Sequence, residues 1–321
     1  MKTLTETRGI REKHSEHILG LPYVTAIGVG YIGNRQEKKI GIIVYQDAPS
    51  AAPRQVPETI EGVPVEIRQG HFAAPTRAFL PREAFREPLA DIRPENLIGN
   101  PRDKEFEPMI GGVSVNPDFF YFDSWQGTLG LAIRDKNGKP VILSNRHVIC
   151  GKNPVAGDGV SQPSYEFFSH LAASLVAWNL GDVTYQGKKY GIDAAIASPT
   201  NGRTATIGKI YGLPDVAGTA DAALGMEVTK SGLTTDVTTG TVTAIDVDCI
   251  SNTSGVILSR QIIIENNIAG DYFSESGDSG SAIIQTKTNH VTGLLWGGNK
   301  KTKETMCSPI APILDFFECT I

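Results

Sequence analysis

The sequence predicts a mostly β protein, a barrel or sandwich of many short strands preceded by a small α/β unit. Three observations point there. Its 34 Gly and 19 Pro stand against only 4 Met, a turn-rich balance that suits short strands better than helical bundles. From Met109 onward, short apolar runs recur at intervals of about ten residues, punctuated by Gly, Asn and Asp. Before that point, one helical pattern is followed by two or three strand-like runs. With 40% apolar and 20% charged residues in 321, the chain can bury a real core, so wholesale disorder is excluded.

In chain order, Arg8 to Leu19 is a short helix candidate, and Val24–Ile32 and Lys39–Tyr45 are strand candidates joined by a polar turn at 33–38. A third strand runs through Val63–Ile67. A helix with antiparallel strands makes residues 1–72 a small, ferredoxin-like α/β domain. Residues 73–108 change character: six prolines and 13 charged residues fall within 36 positions, the composition of an extended linker that wraps its neighbour. Residues 109–321 carry the β-rich text, including Gly127–Ile133, Val141–Leu143, Ala194–Ala197, Val242–Ile245, Arg260–Ile264, Ser281–Ile284 and Val291–Trp296. Asp135-Lys-Asn-Gly138 reads as a hairpin turn, and Ala311 to Cys319 as a short closing helix.

Charge and targeting exclude several classes. Thirty Lys+Arg against 35 Asp+Glu give a net charge of -5, with no basic excess to bind phosphate, so no nucleic-acid partner is expected. No run of 18 apolar residues occurs, so no membrane span is expected. Met1 to Gly20 is polar and lacks the apolar core of a signal peptide. The four cysteines, Cys150, Cys249, Cys307 and Cys319, follow no metal spacing and are sparse for a disulfide framework. A cytoplasmic location is the expectation.

Three motifs fail on physical grounds. Gly28-Val-Gly30-Tyr-Ile-Gly33 matches a dinucleotide pattern, but that pattern needs a helix to open at once and offer its N–H groups to pyrophosphate. Here the text returns to an apolar strand. His14-Ser-Glu-His17 sets two imidazoles one helical turn apart with no evident third metal ligand. Lys230-Ser-Gly232 is one motif of penicillin-recognising enzymes, yet no serine in the chain has a lysine three places on.

Gly277-Asp278-Ser279-Gly280 differs in kind. A serine between glycines can sit on a tight exposed turn, where its N–H and that of Gly277 converge on one point and can hold an oxyanion. A serine hydroxyl attacks poorly until a neutral imidazole takes its proton and a carboxylate orients that imidazole. Upstream, Ser144-Asn-Arg-His147-Val-Ile149 ends a strand with a histidine. Ile192-Asp193-Ala-Ala-Ile-Ala197 opens an apolar strand with a lone aspartate, which is costly to bury without a partner. The order is His, Asp, Ser, at separations of 46 and 86 residues.

The order, the separations and the local texts Ser-Asn-Arg-His, Asp-Ala-Ala-Ile-Ala and Gly-Asp-Ser-Gly resemble the trypsin/chymotrypsin-like serine peptidases. More closely, the chain is similar to the group of the plant narrow-leaf protein and its bacterial relatives. Gly127-Thr-Leu-Gly130 before the histidine strand and Met226 to Thr235 also match that group. The resemblance implies a double β-barrel peptidase domain, with barrels at roughly 109–205 and 206–321 and the active site between them. It implies His147 as general base, Asp193 as its orienter and Ser279 as nucleophile. The Gly277 and Ser279 N–H groups would form the oxyanion hole, and Leu295, Trp296 and Gly297 would pair with a substrate backbone.

The expected function is therefore a serine endopeptidase acting on protein or peptide through an acyl-enzyme, with no metal or organic cofactor. Relatives suggest a homo-oligomer. The alternatives are a non-catalytic scaffold of the same fold, or a self-processing protein that cuts only its own linker. Ile110-Gly-Gly-Val113 looks superficially like the new amino terminus that activates secreted members by pairing with the aspartate before the serine, here Asp278. A plain opening strand explains the same text.

Overall fold

The first helix starts where its cap is strongest. Thr3 accepts from the Glu6 N–H at 3.2 Å while the Glu6 carboxylate accepts from the Thr3 N–H at 2.7 Å, a reciprocal capping box. This sets α1 at Leu4–Leu19, four residues ahead of the apolar pattern. The structure, a computed structural model, describes residues 2–33, 39–49, 54–74, 100–118, 126–164 and 170–321. The turn at 34–38 and linker residues 75–99 lie outside these.

After α1 come β1 (Val24–Ile32), β2 (Lys39–Gln46), β3 (Thr59–Ile60) and β4 (Val63–Gln69). β2 runs antiparallel to β1 and parallel to β4. Ile18 of α1 packs with Val24, Ile27, Ile42, Val44 and Val63 on one face of this sheet.

The first barrel contains β5 (Met109–Gly111), β6 (Ser114–Pro117), β7 (Gly127–Thr128), β8 (Leu131–Arg134) and β9 (Pro140–Ser144). A one-turn helix α2 (Arg146–Ile149) follows, then β10 (Gly159–Ser161), β11 (Leu171–Tyr185), β12 (Lys188–Pro199) and β13 (Ala205–Ile210). The expected strand 127–133 is broken at Leu129–Gly130 into β7 and β8. With those two counted as one bent strand, the circuit β6, β7/β8, β9, β12, β11, β10 and back to β6 closes with six members. Met109, Val113, Leu129, Ile142, Val160 and Ala195 are among the residues filling it.

The second barrel holds β14 (Gly218–Thr219), β15 (Glu227–Gly232), β16 (Asp236–Ile250), β17 (Ile257–Asn266), β18 (Ala282–Gln285), β19 (His290–Asn299) and β20 (Glu304–Pro309), capped by α3 (Ile310–Phe316). Six of them close in the order β15, β18, β19, β20, β17, β16 and back to β15. Closure leaves no open edge within either circuit. Alternate residues of β8, β9 and β12 (Leu131, Ile133, Leu143, Ile192, Ala194) turn away from the first interior and meet Ala282, Ile284 and Leu294 of the second barrel. Strand alternation thus builds two interiors and one shared seam from the same strands. This is the double β-barrel trypsin-like fold the sequence implied.

The amino-terminal strands join that architecture edge to edge. β1 pairs antiparallel with the second half of β16, Ala26 opposite Cys249 and Gly30 opposite Ala244, so one sheet runs from the second barrel into the α/β unit. This also explains the dinucleotide-like glycines. A Cβ on Gly28 would stand 2.5 Å from Val247, and one on Gly30 2.5 Å from the Thr243 carbonyl. They are close-approach glycines of a strand pair.

Ion pairs fasten α1 to the same place. Arg11 meets Asp248 at 2.5 Å and Arg8 meets Asp246 at 2.5 Å. Arg260 bonds both Asp246 and Glu12. The buried face of α1, Thr7, Arg11, Ser15 and Ile18, is therefore largely polar. His14 bonds Glu61 at 2.9 Å, and among the described residues no cluster of His, Cys, Asp or Glu could hold a metal ion. No described helix is long and apolar enough to cross a membrane.

Candidate active site

β9 ends at Ser144, and the chain turns at once into α2, which carries His147. The histidine thus stands on a helical turn just beyond the strand. Asp193 lies inside β12, which begins five residues earlier at Lys188, so the aspartate is mid-strand rather than at its start. On β12 it shares a face with Ala195 and Ala197, the face that packs toward Val148 and Ile149 of α2.

The two side chains meet. His147 Nδ1 is 2.6 Å from Asp193 Oδ2, and the His147 N–H donates to Asp193 Oδ1 at 3.2 Å. The Asn145 amide donates to the Asp193 carbonyl at 2.7 Å. The carboxylate is nearly sealed, with its side chain 4% exposed against 14% for the histidine. A carboxylate bonded to Nδ1 leaves Nε2 as the position that exchanges a proton. Nε2 is buried and has no hydrogen-bond partner among the described residues.

Ser279 comes from the loop before β18. Its Oγ is likewise buried and has no hydrogen-bond partner among the described residues, so the structure brings His147 and Asp193 together but does not close a bond from serine to imidazole. Gly127 shows how near the two segments run. A Cβ there would lie 2.6 Å from Val148, next to His147, and 2.9 Å from the Ser279 carbonyl. Only a glycine leaves room. Buried polar atoms are rarely left unpaired, and these two belong to segments that both approach Gly127.

The serine loop is held from below. Gly277 has φ +101°, in the left-handed region that suits glycine. The Gly277 carbonyl accepts from Thr128 Oγ1 at 2.8 Å, and the Ser276 carbonyl from Thr234 Oγ1 at 2.5 Å. With their carbonyls fixed in this way, the N–H groups of Gly277 and Ser279 remain without a main-chain acceptor among the described residues.

Sequence reasoning missed the residue beneath this loop. Lys230 and Asp278 are both fully buried, with Nζ 3.3 Å from Oδ2. Lys230 also donates to Thr235 Oγ1 at 2.5 Å and to the Asp236 carbonyl at 3.0 Å. Asp278 accepts further bonds from the N–H groups of Thr234, Thr235 and Glu275 and from the Thr235 hydroxyl. Burial pulls the Lys230 ammonium below the ordinary lysine value, and Asp278 opposes that pull. The carboxylate an activating amino terminus would need is already filled. Ile110 instead belongs to β5, which pairs with β13. A lysine at the centre of the otherwise uncharged, buried run Val228–Gly232 of β15 is the available signal.

Lys230→Met, which keeps the length and removes the charge, is expected to cost about 3–5 kcal/mol by leaving the buried Asp278 carboxylate without its counter-charge. It should also lower any esterase turnover about a hundredfold by loosening the loop that carries two donors. Thermal unfolding and active-site titration check the two effects separately.

Leu295, expected to pair with a substrate backbone, has both main-chain groups engaged. Its N–H donates to Ser281 and its carbonyl accepts from Gly280. Trp296 is buried, its Nε1 donating to Gln261 at 2.7 Å, and Gly297 faces the Ala73 carbonyl. The main-chain groups turned to the edge beyond Leu295 belong to Gly298. Burial pushes the nearby Cys150 thiol up to about 12, and all four cysteines are free and buried. A cavity of about 1040 Å³ lined by Tyr31, Arg68, Glu265 and Glu304 includes none of His147, Asp193 and Ser279.

With this geometry established, comparison places the chain among known proteins. Residues 187–308 match the family model of the Nal1 C-terminal domain, in agreement with the narrow-leaf resemblance. No curated protein matches. Among solved structures, Thermobifida fusca protease A is similar at 21% identity and TM-score 0.47, covering 66% of this chain and 96% of its own. A Nocardiopsis protease is similar at 20% and 0.46, covering 66% and 97%. A glutamic acid-specific serine protease is similar at 18% and 0.49, covering 66% and 100%.

Proposed function

We propose that the protein is a serine endopeptidase that hydrolyses peptide bonds through an acyl-enzyme. The observation that supports it best is the 2.6 Å bond between His147 and Asp193; Ser279 Oγ, buried and without a hydrogen-bond partner among the described residues, is available to it. Ser279 Oγ attacks the scissile carbonyl as His147 Nε2 takes its proton. Asp193 holds the imidazole in the tautomer that accepts at Nε2 and stabilises the imidazolium that forms. The Gly277 and Ser279 N–H groups stabilise the charge developing on the carbonyl oxygen. Collapse passes the proton from His147 to the leaving amine. Water, activated by the same imidazole, then frees the acid product and restores the serine. The serine–imidazole bond closes in the loaded complex, since catalytic hydrogen bonds tighten as substrate binds.

A fluorophosphonate tests this without a known substrate. It should label the intact chain once, on the peptide containing Ser279; an unlabelled, folded protein would sink the reading and favour the scaffold alternative.

The first specificity pocket is read from the loop before the serine. Phe273 is fully buried, and the Ser274 and Thr305 hydroxyls bond each other at 2.7 Å, with no carboxylate between them to receive a cation. A small or medium apolar residue before the scissile bond is expected. Library profiling that returned Lys or Arg there would contradict it.

A further inference from the structure

Beyond β4 the chain runs on against the second barrel. Phe72 is buried against Trp296 and Met306, with Tyr45 edge-on at 4.9 Å, and its carbonyl accepts from the Asn252 N–H at 2.9 Å. Ala73 then forms an antiparallel bridge with Gly298. Its N–H donates to the Gly298 carbonyl at 3.1 Å and its carbonyl accepts from the Gly298 N–H at 3.0 Å. The Ala74 N–H donates to Thr253 Oγ1 at 3.1 Å.

The position of this bridge is specific. β20 takes one edge of β19, with Thr305 opposite Gly298. Gly298 turns both main-chain groups to the other edge, where Leu295 bonds Gly280 and Ser281 just after the serine. Gly298 stands three positions beyond Leu295, about 10 Å along a strand. An extended peptide with its scissile carbonyl at Ser279 would lie along that edge and meet Gly298 with a residue upstream of the cut. The antiparallel sense makes Ala74 nearer the serine than Ala73, the direction such a peptide would run.

We propose that Phe72–Ala74 is an internal strap that occupies the upstream peptide-binding edge of the active site, so that extended substrates must displace it. This rests on the peptidase reading. Phe72 anchors the strap, and the Ala73 and Ala74 bonds are the ones a substrate replaces.

The test uses full-length Ser279→Ala and Ser279→Ala/Ala73→Pro, in which proline removes the N–H given to Gly298. The probe is the synthetic pentapeptide Gly-His-Phe-Ala-Ala, the text of residues 70–74, and its affinity is read by calorimetry. About two- to tenfold tighter binding to the proline variant is expected, the worth of one backbone hydrogen bond. Ser279→Ala/Thr253→Val, which frees Ala74 from an exposed loop, should shift affinity the same way and guards against misfolding by proline. Equal affinity for the parent and both variants, or binding to none, would overturn the strap. Binding needs no catalysis, so this result is independent of fluorophosphonate labelling, whose failure would instead sink the peptidase reading.

Discussion

Alanine at Ser279 is expected to abolish fluorophosphonate labelling and to lower peptide turnover about a million-fold, the scale of losing the nucleophile in such enzymes. Stability should change little or improve. The hydroxyl has no partner among the described residues, so its removal breaks no bond and relieves a buried polar atom of its desolvation cost. Loss of activity with an unchanged or raised melting temperature is therefore the signature. Residual turnover within tenfold of wild type would show that another group carries the chemistry.

Asp193→Asn tests the second half of the arrangement. Asparagine fits the same space, yet its NH₂ face cannot accept from His147 Nδ1–H, and the favoured tautomer then places the proton on Nε2. Turnover should fall about ten-thousandfold near neutral pH. Folding is expected to hold, because the Asn145 bond goes to the main-chain carbonyl of Asp193 and survives the change. The loss should be largest in kcat, since the carboxylate does not touch substrate. Equal turnover by wild type and variant would show that this pair only ties α2 to β12.

Much of this was legible in the sequence because its signals are local. Val24–Ile32 reads as a strand from its own apolar run and is one, with the same bounds. The Asp135–Gly138 turn falls between β8 and β9, where the Asp135 carboxylate caps the Asn137 and Lys139 N–H groups. His147 and Asp193 are legible because a charge beside apolar text demands a partner. Other parts are not local. β11 spans fifteen residues, but its half-exposed text mixes Ala, Ser, Asn and Gly, and only pairing with β10 and β12 makes it a strand. The start of α1 is not legible from apolar spacing, because its buried face is polar and its cap decides the boundary. In the sequence Lys230 reads only as part of a failed motif, since only the closed barrel shows which carboxylate it answers. Gly298 escaped notice because a glycine's edge role depends on what lies alongside.

The pairing of β1 with β16 has a practical result for anyone who trims the chain. A fragment beginning at Met109 would keep both barrels but uncover the stretch of β16 from Ala244 to Cys249, whose residues are almost all buried beneath β1. Bare strand flanks of this kind recruit one another. Such a fragment should precipitate or assemble in a concentration-dependent way, and an assay on it would report the behaviour of aggregates rather than of the native protein.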